Sequence, residues 1–204
     1  MTNLKLYIDL LQRHFDTARQ EQYFTTLDEQ IKRLESIIQN EVDIISLEDR
    51  QNELLRQPIR WEVLSENLQT RLRPHALAKN ITLQFDPELA QLPVMVGDPQ
   101  KITQALYELI HNALNFTQVG GTVIVRGEVQ TEEAAEWLTL SLRDDGPGIA
   151  PSEQTRIFDR FYRGQQAEAG HIPGTGLGLN MVSLIAQAHN GRLIATSPGL
   201  NQGS

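Results

Sequence analysis

The first 57 residues contain neither glycine nor proline. No residue in that stretch favours breaking a helix. Leu4, Tyr7, Ile8, Leu11 and Phe15 share one helical face. After the polar break "DTARQEQ", Phe24, Leu27, Ile31, Leu34, Ile38, Val42 and Ile45 recur at steps of three and four. That spacing makes a bundle or coiled-coil seam, with charges between the stripes as in "DEQIKRLE". Two helices with one apolar stripe each cannot close a core. They need a partner: a second copy forming a four-helix bundle, or the rest of the chain.

Past Pro58 the pattern changes. "IRWEVL" reads as a short strand, with a helix following through about Ala78. "ITLQFD" and "PVMVGD" read as further short strands. Ile102, Ala105, Leu106, Leu109, Ile110, Ala113 and Leu114 predict a buried helix face over Pro99 to Phe116. "TVIVRGEV" and "WLTLSLRDD", separated by the polar "QTEEAAE", predict an antiparallel pair. "GRLIATS" reads as a last strand. The mixture predicts an α+β fold, a two-layer sandwich with helices on one sheet face, preceded by an antiparallel helical hairpin. The expected division is a hairpin over residues 1–55 and a second domain over 56–204.

Chemistry is narrowed by what the chain lacks. There is no cysteine, so disulfides and thiolate metal sites are excluded. Cysteine absence and the lack of a signal peptide or membrane-length apolar run fit a cytoplasmic location. A net charge of −8 disfavours nonspecific nucleic-acid binding, which needs a basic footprint.

Three short motifs carry the functional signal. In "GTGLGL" glycines alternate with Thr175, Leu177 and Leu179, and apolar residues come next at helical spacing. Such a run is a linker, an edge strand or a loop that opens a helix, where free N–H groups attract anions. "DDGPGI" ends a strand: Asp144 is either a ligand-reading carboxylate or part of a tight Asp-Gly, Pro-Gly turn. In "ELIHNALNFT", Glu108 and Asn112 lie one helical turn apart with Asn115 near the same face. Their oxygens suit a hard cation such as Mg2+, or simply form the polar face of an amphipathic helix.

Taken in order, these motifs resemble the ATP-binding domain of the superfamily that unites sensor histidine kinases, type II topoisomerases, heat-shock chaperones and mismatch-repair ATPases. Within it the chain is most similar to the histidine kinases of two-component systems. "ELIHNALNFT" resembles their N box, "DDGPGI" the first glycine box, "IFDRFYRG" the F box and "GTGLGL" the second glycine box. The resemblance implies ATP and Mg2+ as cofactors. It assigns the adenine amino group to Asp144, with Gly146 and Gly148 turning the backbone around the base and Ile149 packing on it. Asn112 would hold Mg2+, and Glu108 would polarise the attacking group or orient a water on the metal. Phe158 and Phe161 would anchor a mobile lid from Pro147 to Gly176. Tyr162 and Arg163 would approach the nucleotide, and Gly174, Thr175, Gly176, Leu177, Gly178 and Leu179 would meet the phosphates. Asn115 stands where the family usually has a basic residue near them.

The family phosphorylates a histidine on its first dimerisation helix, within His-acidic and Thr-Pro-Leu neighbours that are absent here. The opening "MTNLKLYIDLL" resembles the family's segment just downstream of that motif, and His14 lacks those neighbours. His75, His111, His171 and His189 read as surface or packing residues. The implied function is transfer of the ATP γ-phosphate to a histidine outside this chain, for relay to a response regulator. A homodimer through the hairpin is expected, in a parent that is free or membrane-anchored. The chain itself is expected to bind nucleotide without labelling itself, and one further strand is expected beyond "NQGS". A related anti-sigma-factor serine kinase, or a non-catalytic ATP-binding and dimerisation module, would share the glycine boxes.

Overall fold

The computed structural model describes residues 17–49, 54–132, 135–170, 172, 174–199 and 203–204. It divides into two compact units, up to Asp43 and from Ile44 onward. The first expected helix, with His14, lies outside the described residues, as does His171.

Helix α1 (Thr17–Asp49) is continuous. The expected polar break is therefore helical from Thr17 onward. Its residues are good or tolerable helix formers, and polarity alone does not end a helix that carries no glycine or proline. Of the seam residues, Leu27 is buried, while Phe24, Ile31, Leu34, Ile38, Val42 and Ile45 are exposed, Ile38 by 64%. Each such side chain left in water forgoes about 1.5–3 kcal/mol of burial.

The second unit runs β1 (Gln57–Ile59), α2 (Trp61–Ala78), β2 (Thr82–Phe85), β3 (Met95–Gly97), α3 (Pro99–Phe116), β4 (Thr122–Glu132), β5 (Ala135–Asp144), α4 (Gln165–Ala169) and α5 (Gly178–Ala188). The expected strand "IRWEVL" is corrected. Only Ile59 belongs to a strand, and the helix begins at Trp61. Buried Trp61, Leu64, Leu68, Leu72 and Ala76 continue a helical period through it, which outweighs the short alternation. The expected strand "GRLIATS" has no regular structure. Its Ile194 is 65% exposed, so the run has no apolar face to hold it in a sheet.

One sheet has the order β2-β4-β5, with β2 parallel to β4 and β4 antiparallel to β5; β1 and β3 form a separate antiparallel pair. The core lies between the larger sheet and helices α2 and α3. It contains Leu68, Leu72, Ile110, Leu114, Val123 and Val125. This is the expected two-layer α+β architecture. Strand period places Leu138, Leu140 and Leu142 against that core. Asp144 is next in the same row, opposite Val123, and it is buried. The apolar row thus ends in a carboxylate.

Helix α3 starts where its sequence says. Asp98 caps it, accepting from Gln100 N at 3.0 Å and Lys101 N at 3.1 Å, with Pro99 in the first turn. At the other end Lys79 donates to the carbonyls of Leu114 at 2.6 Å and Asn115 at 2.8 Å, satisfying groups a helix leaves unpaired. His189 packs as expected of a structural histidine, its Nε2 accepting from Asp98 N at 2.9 Å.

Candidate functional site

Helix α3 brings the motifs together. Near its middle, the Glu108 carboxylate lies against the start of α5. A Cβ on Gly178 would sit 2.8 Å from Glu108 Oε2, so glycine there makes the room. At its end, the Phe116 carbonyl lies 3.4 Å from where a Cβ on Gly146 would be. The second glycine run and the first glycine turn thus touch the same helix. From Glu108 to Phe116 is roughly 12 Å of helix. Asn112 lies between them, half-buried. Among the described residues neither Glu108 nor Asn112 has a side-chain hydrogen bond. Burial raises the Glu108 pKa above the usual carboxylate range.

Asp144 marks the other end. Its Oδ1 accepts from Gly146 N at 2.8 Å, and its Oδ2 accepts from the Ser204 hydroxyl. Burial is the main cause of its raised pKa, with these two hydrogen bonds opposing and Asp145 adding. Gly148 has φ +70°, and a Cβ there would meet the Gly199 carbonyl at 2.2 Å. Ile149 N donates to Ser197 Oγ at 3.0 Å. Ser197 and Ser204 are site residues that sequence reasoning misses. Nothing local announces them, because their partners lie 48 and 60 positions away.

The F box crosses the second glycine run. Phe161 N donates to the Gly176 carbonyl at 3.0 Å. Gly176 has φ +76°, and a Cβ there would lie 2.6 Å from Phe161 C and 2.7 Å from the Tyr162 carbonyl. Asn180 ties Phe158 in place through its carbonyl at 2.9 Å. One glycine of the run therefore serves chain-on-chain packing. Fully buried Leu177 anchors the loop, and Thr175 Oγ1 accepts from Leu177 N at 3.3 Å just before α5 begins. The expected helix-opening loop is present. Leu179 is in the first turn, half-buried, and Gly174 is exposed.

Three expected residues face elsewhere. Asn115 Nδ2 is 3.3 Å from His111 Nδ1, beside the edge-to-face His75–His111 pair. Its side chain joins that cluster, while Glu108 and Asn112 remain unpartnered. Arg163 donates to the carbonyls of Gly174, Ile172 (2.7 Å) and Ala167 (3.4 Å), so its guanidinium ties α4 to the second glycine run. Tyr162 donates to buried Glu153 Oε1 at 3.0 Å.

A groove of about 680 Å³ opens between α2 and α3, with Glu108 among its lining residues. No described helix is long and apolar enough to cross a membrane.

Comparison with known proteins fits this geometry. The sensor histidine kinase CpxA of Escherichia coli is 28% identical over 195 residues, covering 94% of this chain and 39% of CpxA. The crystal structure of full-length ShkA in complex with AMPPNP superposes with a TM-score of 0.71 at 29% identity, covering 95% of this chain and 39% of ShkA. Histidine kinase ThkA in complex with response regulator TrrA shares the fold, with a TM-score of 0.73 at 18% identity, covering 98% of this chain and 54% of ThkA. The chain thus spans well under two thirds of the length of these relatives. The resemblance to sensor histidine kinases holds along nearly the whole chain. Residues 97–204 match the family model, and the chain belongs to the histidine kinase-, DNA gyrase B- and HSP90-like ATPases.

Proposed function

We propose that residues 56–204 bind Mg-ATP along α3, and that the protein works as a two-component sensor histidine kinase. The observation that carries this is the pair of unpartnered polar side chains, Glu108 and Asn112, between two glycine turns on one helix.

Each residue has a part. Asp144 reads the adenine amino group with lone pairs left over by Gly146 N and Ser204; because it is buried, a base offering no donor leaves it unmatched at a cost. Gly174 leaves the phosphates room to approach the start of α5, while Gly176 lets the F box cross the run and Gly178 clears the Glu108 carboxylate. Asn112 offers an unpartnered amide oxygen, a donor suited to Mg2+ that keeps its waters. Bound there, the ion would neutralise charge developing on the phosphates. Glu108, made more basic by burial, orients or accepts the proton of the attacking group. Arg163 holds the lid carbonyls and meets a phosphate oxygen only when that brace loosens.

The same proposal covers the partners. The exposed stripe from Phe24 to Ile45 supports a homodimer through the N-terminal helices. A response regulator would receive the phosphate from a histidine outside this chain. ShkA, the relative solved with AMPPNP, supports the nucleotide.

The metal assignment is tested by titrating ATP into the chain with Mg2+ and with EDTA, for wild type and Asn112→Ala. Wild type is expected to bind at least about tenfold tighter with Mg2+, and the variant to lose that difference. Equal wild-type binding in EDTA would remove the metal role.

A further inference from the structure

Ser197 lies outside every motif, yet its hydroxyl is used to capacity. It accepts from Ile149 N at 3.0 Å and Gly199 N at 3.3 Å, and its one hydrogen has the Gly203 carbonyl at 2.7 Å and the Gly199 carbonyl at 3.2 Å in reach, the shorter contact being to Gly203. A serine hydroxyl has one donor and two acceptor sites, so none is spare. The residue's own carbonyl accepts from Gln154 Nε2 at 3.0 Å, at the start of the lid. Close packing supports the same junction. A Cβ on Gly148 would meet Ser197 Oγ at 2.9 Å. The next residue after Gly203 pairs with Asp144 through backbone bonds of 2.8 and 3.3 Å, and its hydroxyl bonds the carboxylate.

We infer that Ser197 is a positioning residue for recognition of the purine base. One hydroxyl fixes Ile149, the residue expected against the base. Through Gly203 it also fixes Ser204, which sets the direction of the Asp144 lone pairs. It touches neither base nor phosphate, and acts through both neighbours. Three backbone groups lose their partner together if it is removed, and Gly203 among them is buried.

This inference rests on the ATP reading. It is tested with ADP and GDP binding to wild type, Ser197→Ala and Ser197→Thr, alongside melting of each. ADP affinity is expected to fall about tenfold in the alanine variant, with a smaller preference for ADP over GDP. Threonine, which keeps the hydroxyl, is expected to stay within about threefold of wild type and to retain that preference. A fall in melting temperature alone, with ADP affinity and preference unchanged, would overturn the inference. So would equal losses in both variants. A wild-type chain that binds neither nucleotide overturns the ATP reading itself, and is told apart because that loss precedes any substitution.

Discussion

Helices α1 and α3 carry apolar residues at the same steps of three and four, and they meet opposite fates. On α3, Leu106, Ile110, Ala113 and Leu114 are buried against the sheet and α2. On α1, six of seven stripe residues remain in water. Periodicity says which side of a helix wants cover. It does not say who supplies it. In α3 the cover is local, because strands 122–144 come at once in the chain. For α1 the cover must come from elsewhere, and a second copy is the proposed source.

The comparison breaks most sharply on matched alanines. Ile110→Ala removes a fully buried side chain and is expected to cost about 2–5 kcal/mol, lowering Tm by roughly 5–15 °C. Ile38→Ala should leave melting of the second unit unchanged and instead weaken self-association, read by sedimentation equilibrium. Similar melting losses in the two variants, or unchanged association for Ile38→Ala, would end the contrast.

Within the site the same logic separates two glycines of one run. Gly176→Ala places a Cβ against the Phe161–Tyr162 backbone at φ +76°, and should cost about 1–3 kcal/mol in urea unfolding. Among the described residues a Cβ at Gly174 meets Arg163 Nη1 at an ordinary 3.5 Å, so Gly174→Ala should stay within about 0.5 kcal/mol. Equal costs would mean the run is not divided between packing and ligand approach.

The smallest expected effect is on pH. Burial raises the pKa of Glu108, so the folded state holds its proton more tightly than the unfolded chain. Stability therefore falls as pH rises from the ordinary carboxylate range through the folded value. Glu108→Gln should melt about 1–3 °C higher than wild type at pH 7, and the gain should fade as acid protonates Glu108. A lower melting temperature at pH 7 would show an unseen partner for the carboxylate.

How much of this is legible in the sequence depends on distance along the chain. Helix α3 can be read to both ends because Asp98-Pro99 marks its start and its apolar period, begun at Ile102, stops after Leu114. "IRWEVL" misleads because six residues fit two periods, and only Leu68 and Leu72 further on decide for helix. "GRLIATS" alternates like a strand but finds no ladder. The glycine boxes are legible because close backbone approach demands glycine. Ser197 and Ser204 are not, since each acts on a loop some fifty or sixty positions away. Asn115 illustrates the remaining gap: spacing puts it near Asn112, and the neighbouring His111 draws its side chain aside.

Asp144 is where fold and function make opposite demands. A buried carboxylate at the end of an apolar row costs stability at neutral pH, by the same sign as Glu108. The most direct measurement is calorimetric binding of ADP to wild type and Asp144→Asn, with melting of both at pH 7. The expected result is binding by wild type, about a hundredfold loss or more in the variant, and a variant that melts no lower. Wild-type affinity in Asp144→Asn would contradict the assignment of Asp144 to the base, and with it the placement of ATP along α3.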